Sequence, residues 1–179
     1  MTYKLRPAKI EEAPQLCDLI AASMRGLSQQ DYTAEQIEGA LEGSCSLDTQ
    51  LIHDGTYFVL ESSEGELAGC GGWSFRKTLF GGDAHTVRDA GELDPASEAA
   101  KIRAFFIHPN HARKGLALKL LQHCEQAARE RGFTRMELMS TMPGLPFYQA
   151  QGFIPQEAID NPLPNGESVR FVPMWKVLD

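Results

Sequence analysis

Long hydrophobic runs are missing from this chain: no apolar stretch approaches the roughly 18 residues that a membrane-spanning helix requires. The opening residues, MTYKLRPAKIEEAPQL, interleave charge with apolarity, so no secretory signal is expected there. Cysteine is scarce. The four residues at 17, 45, 70 and 124 form no CxxC pair, which argues against a disulfide framework and for reduced thiols in a cytoplasmic protein. His108 and His111 stand three apart, but no thiolate or carboxylate follows at ligand spacing, and no metal is expected. Neither GxGxxG nor GxxxxGK[ST] occurs, which excludes the dinucleotide fingerprint and the Walker loop. Positive charge is in deficit, 17 Lys and Arg against 24 Asp and Glu, so nucleic acid is not an expected partner.

What is present is an ordinary globular composition, 42% hydrophobic and 23% charged over 179 residues, enough for one domain with a full core. The charge is unevenly spread. Residues 99–135 hold eight basic side chains against two acidic ones, whereas residues 1–98 hold seven against seventeen. A basic island in an acidic chain suggests a small anionic ligand held there, and the acidic half favours a cationic second ligand through steering.

Periodicity predicts a strand over 2–5 and a helix over 11–24. A second helix is predicted from Thr33, whose spacing to Gln36 is that of a capping box, to about Gly43. Strands are predicted over 56–60 and 67–75, and the three glycines 69, 71 and 72 mark the second for a bulge or a close backbone approach. Residues 76–98 have no period and read as a long loop of the kind that serves as a lid, as a binding segment or is partly disordered. A strand over 100–107 ends at His108-Pro109, and a strongly amphipathic helix begins near Gly115 and stops at Gly132. A strand over 135–139, a short helix over 145–149 and a last strand over 168–177, broken by Pro173, complete a mixed α/β chain around one sheet.

The segment from the 100–107 strand into the next helix carries the chemistry. A helix start presents unpaired N–H groups and a partial positive charge, which together bind phosphate. Gly115 and Ala117 keep bulky side chains away from that point, and Arg113 and Lys114 add full charges to it.

Here the chain resembles the GNAT superfamily of acetyl-CoA-dependent N-acetyltransferases, whose motif [Q/R]-x-x-G-x-[G/A] follows a strand ending in His-Pro. The stretch reads Ala112-Arg113-Lys114-Gly115-Leu116-Ala117, with the glycine and the final small residue in frame and Ala112 in place of Gln or Arg. Downstream, Phe147-Tyr148-Gln149-Ala150-Gln151-Gly152-Phe153 is similar to the FYxxxGF element, with Thr141 where the family often has asparagine. The resemblance implies a single N-acetyltransferase domain over 1–179, with a cofactor-binding core at 99–153 and a loop at 76–98. It implies a central mixed sheet flanked by helices, with a splayed strand pair holding coenzyme A. Acetyl-CoA would then be the co-substrate. Phe106, Ile107, Arg113, Lys114, Gly115, Leu116, Ala117, Leu118 and Thr141 would contact it, and Tyr148 would protonate the departing thiolate. A phenol with a pKa of about 10 keeps its proton at neutral pH and can serve in that role.

The base that would deprotonate the amine has no clear candidate. The 100–107 strand carries no carboxylate, which leaves Glu61, Asp83, Asp94, Glu98 or a water chain. The acceptor is expected to be a small-molecule amine, and a homodimer is the family's habit. The alternative is a coenzyme A-binding sensor on the same fold, without turnover.

Overall fold

The computed structural model describes residues 1–84 and 88–179. The strands are β1 (Tyr3–Pro7), β2 (Tyr57–Ser62), β3 (Leu67–Ser74), β4 (Ala100–Ile107), β5 (Arg135–Thr141), β6 (Ile154–Pro155), β7 (Ile159–Pro162) and β8 (Ser168–Val177). The helices are α1 (Ala13–Leu27), α2 (Ala34–Leu41), α3 (Thr49–His53), α4 (Leu116–Glu130) and α5 (Leu145–Ala150), with short 3₁₀ turns at Ile10–Glu12 and Pro109–His111. The eight strands form one sheet in the order β1-β2-β3-β4-β5-β8-β6, with β7 also on β8.

Alternation along β2 shows why the sheet is covered on both faces. Phe58 and Leu60 enter the core under α4, with Leu120, Leu121 and Cys124. Tyr57 and Val59 enter the opposite core under α1 and α2, with Leu16, Ile20 and Ile37. Thr33 caps α2 through Gln36, and the reciprocal bond from the Thr33 N–H to the Gln36 side chain completes the capping box.

Several expectations need correction. The first helix begins at Ala13 because Ile10–Glu12 closes as a 3₁₀ turn, and it runs on to Leu27. Helix α3 was not anticipated; five residues capped by Asp48 are too few to show a period. Strands β6 and β7 were likewise unmarked. Pro173 does not break β8, which pairs with β5 without interruption from Arg135–Val177 to Thr141–Phe171. Its carbonyl accepts from Gln156 N–H on the β6 side. A residue's N–H and C=O point to the same side of a strand, so the donor that proline lacks faces the β6–β7 edge and not β5.

Two irregularities position the site. First, β4 and β5 are parallel but paired only at Ala100–Met136 and Lys101–Glu137, beyond which the two strands separate. Second, β4 bulges against β3: Cys70 pairs with Phe106 and Gly72 with Arg103, so two residues, Ala104 and Phe105, oppose Gly71. Ala104 takes a left-handed φ of 53°, rare for a residue with a Cβ. Gly71 is the residue that permits this, since a Cβ there would lie 2.4 Å from the Phe105 ring. The bulge inverts the parity of β4, so that Ile102 packs on the α4 side and Ala104 on the α1 side.

Candidate active site

The separation of β4 from β5 opens a cavity of about 660 Å³. Residues 102–107 of β4 and Leu138, Met139 and Thr141 of β5 form its sides. Residues 111–113 and 115–118, Phe147 and Tyr148 of α5, Ser23, Met24 and Leu27 of α1 with its C-cap Ser28, residues 44–46, residues 79–81 and Phe171 also line the cavity. Leu116 and Tyr148 belong to the core under α4, and Met24, Phe80 and Phe171 to the core under α1.

Of the ten residues anticipated from sequence, nine line this cavity: Phe106, Ile107, Arg113, Gly115, Leu116, Ala117, Leu118, Thr141 and Tyr148. Lys114 does not; its ammonium turns back toward the Asn110 carbonyl at 3.4 Å. Gly115 is the N-cap of α4 with φ of 76°, offers no side-chain cap, and has nothing within 4 Å of where a Cβ would stand. The first-turn amides of Leu116, Ala117 and Leu118 therefore face the cavity without a capping side chain, and Arg113, itself left-handed at 62°, stands beside them. The rest of the basic island has structural work. Lys101 pairs with Glu137, Arg103 with Asp48, and Lys119 donates to the Tyr3 carbonyl.

Backbone alternation distinguishes the two β4 residues expected to meet the ligand. His108 N–H donates to the Ala68 carbonyl, so the next hydrogen-bonded pair along the ladder is Phe106 with Cys70. Phe106 spends its N–H on β3, and the Ile107 N–H points the other way, into the opening.

Tyr148 lies in a ring cluster, 5.0 Å from Phe147, 5.7 Å from Phe153 and 6.3 Å from Phe105 between centroids. Burial pushes its phenol above the ordinary value, and the hydroxyl has no hydrogen-bond partner among the described residues. The turn that leads into α5 is fixed from across the sheet, where the Met142 N–H donates to the Tyr32 hydroxyl at 2.8 Å. Tyr32 in turn donates to the Arg170 carbonyl.

The carboxylates considered as bases are engaged elsewhere. Glu61 pairs with Arg6, Asp83 accepts from Thr49, and Asp94 and Glu98 bond within their own turn. None lines the cavity. His111 is buried, its ring between the Tyr3 hydroxyl at 2.9 Å and Glu66 at 3.2 Å. Cys70 and Cys45 are pushed up to about 12 by burial and Cys124 is pushed higher still, which leaves the three thiols protonated and unreactive.

Sequence reasoning missed the polar brace behind the bulge. Tyr57, wholly buried, donates to the Ala104 carbonyl at 2.9 Å and lies 3.1 Å from the Cys70 sulfur. Arg103, 3% exposed, reaches Asp48 at 3.0 Å and the Gly81 carbonyl at 2.6 Å, which ties β4 to the long loop. Desolvation pulls the Arg103 pKa down and Asp48 opposes it. Asp48 also caps α3 and meets Arg88 at 2.9 Å. Asp48→Asn should destabilise the fold by about 3–5 kcal/mol, because it leaves a buried guanidinium without its counter-charge. Urea denaturation midpoints check this, and a change within about 0.5 kcal/mol, the range of an ordinary surface substitution, would show the pair to be dispensable.

The family model for the acetyltransferase (GNAT) family matches residues 15–153. The chain belongs to that family and is an acyltransferase. A GCN5-related N-acetyltransferase from Rhodopseudomonas palustris is similar in structure, with a TM-score of 0.72 at 19% identity, over 99% of this chain and 97% of that one. So is the PaiA N-acetyltransferase from Thermoplasma acidophilum in complex with coenzyme A, with a TM-score of 0.66 at 14% identity over 99% of both chains. YncA from Salmonella typhimurium, a putative acetyltransferase solved with acetyl-CoA, superposes with a TM-score of 0.62 at 16% identity, over 100% of this chain and 95% of that one. No curated protein matches the sequence. The splayed pair inferred from the GNAT resemblance is thus the observed β4–β5 separation. Among the described residues no helix is long and apolar enough to cross a membrane, and no cluster of three His, Cys, Asp or Glu could hold a metal ion.

Proposed function

We propose that this acyltransferase transfers an acetyl group from acetyl-CoA to the primary amine of a small molecule by direct attack. The observation that carries the reading is one cavity joining two features: the uncapped start of α4 and the partnerless hydroxyl of Tyr148. The residues fit the cofactor. Three free amides with Gly115 and Arg113 suit a diphosphate, and the glycine leaves the backbone open to close approach. Bound there, acetyl-CoA supplies an acetyl group activated as a thioester.

Each residue then has a defined task. The helix start and Arg113 hold phosphate charge. The Ile107 N–H offers a donor to a carbonyl oxygen in the gap between the strands. The Tyr148 hydroxyl donates its proton to sulfur as charge develops there, and burial keeps it protonated until then. With no carboxylate on the described lining, the amine loses its proton through water.

The sensor alternative predicts coenzyme A binding without turnover. Thiol release from acetyl-CoA across an amine library tests the two, and saturable binding with no thiol released from any amine would favour the sensor. Residues 79–81 of the long loop line the acceptor end, where the Phe80 and Phe171 rings meet at 5.7 Å. Phe80→Ala should raise the acceptor KM roughly tenfold, the scale of about 1.4 kcal/mol of lost contact, with the coenzyme A Kd unchanged. An unchanged KM would remove this loop from the acceptor site.

A further inference from the structure

From the composition of the acceptor end we infer that the acceptor is a primary monoamine with an apolar body, and that polycationic amines are selected against. The inference rests on the acetyltransferase reading and adds the substrate class to it. The acidic N-terminal half suggested a cationic acceptor, but its carboxylates do not reach this space. Glu12 and Glu61 close on Arg6, Glu38 on Arg25 and Asp54 on Arg76. Among the described residues the cavity is lined by no Asp and no Glu; its charged side chains are Arg103 and Arg113. Asp48 sits behind Arg103 and is saturated by Gln50, Arg88 and Arg103.

The remaining wall is Met24, Leu27, Phe80 and Phe171, interrupted by serine hydroxyls. An ammonium entering this space gives up water and gains no counter-charge, because Asp48 is committed to Arg103 and Arg88. For the reacting nitrogen that environment helps, because it favours the neutral, nucleophilic form and does part of the work of the missing base. For a second ammonium, which must stay charged, it is a penalty without return.

The test is made on the full chain saturated with coenzyme A, so that binding is read without turnover. Calorimetric titration of 2-phenylethylamine should give a Kd at least tenfold below that of spermidine at the same pH. Leu27→Glu, at a position already 40% exposed, should improve spermidine binding about tenfold by adding the absent carboxylate. Spermidine binding as tightly as 2-phenylethylamine, or neither amine binding, would overturn the inference. The predicted preference in binding, with no thiol released from acetyl-CoA, would support the pocket assignment and overturn the acetyltransferase reading instead.

Discussion

Tyr148→Phe is expected to lower kcat by roughly 10²–10⁴-fold while the melting temperature and coenzyme A affinity hold. The substitution removes one oxygen and almost no volume. The ring stays packed against Phe105, Phe147 and Phe153, which are the contacts that stabilise it. The hydroxyl bonds to nothing among the described residues, so its removal orphans no partner. A merely structural tyrosine would therefore be nearly silent in both measurements. Direct delivery of the proton by water would bring the loss toward the lower end of the range. Turnover per folded molecule within twofold of the parent protein would exclude Tyr148 as the acid.

Gly115→Glu should abolish measurable coenzyme A binding and leave the fold in place. Two effects on stability oppose each other. A side chain at φ of 76° costs about 1–2 kcal/mol, whereas a carboxylate at a helix start gains about 0.3–1 kcal/mol from the dipole. There is no steric term, since the space ahead of the missing Cβ is empty to 4 Å. The effect on binding is one-sided: the new carboxylate takes the amides of Leu116, Ala117 and Leu118 for itself and repels phosphate. Gly115→Ala separates strain from charge and should bind coenzyme A more weakly than the parent but measurably. A folded Gly115→Glu protein with parental affinity would place the diphosphate elsewhere.

The parts of this site that were legible in the sequence are those written locally. Gly115 and Gly132 punctuate α4, Thr33 and Gln36 cap α2, and the FYxxxGF element announces Tyr148; each depends on residues within a few positions of one another. The glycines of β3 marked a close approach correctly, although not its partner, Phe105. What was illegible is what the sheet brings together. Arg103 and Asp48 lie 55 positions apart, and nothing in either neighbourhood points to the other. The burial of His111 has no local signal because its partners, Tyr3 and Glu66, arrive from β1 and from the turn before β3. The acceptor end suffers most from this, since α1, the 44–46 segment, the long loop and β8 each contribute a fragment with no pattern of its own.

The gap between β4 and β5 also bears on traffic. It interrupts the sheet, so the cavity draws its lining from both cores, Leu116 and Tyr148 from one and Met24 and Phe171 from the other. A dead-end cleft makes the last molecule in the first one out. A passage open on opposite faces imposes no such queue.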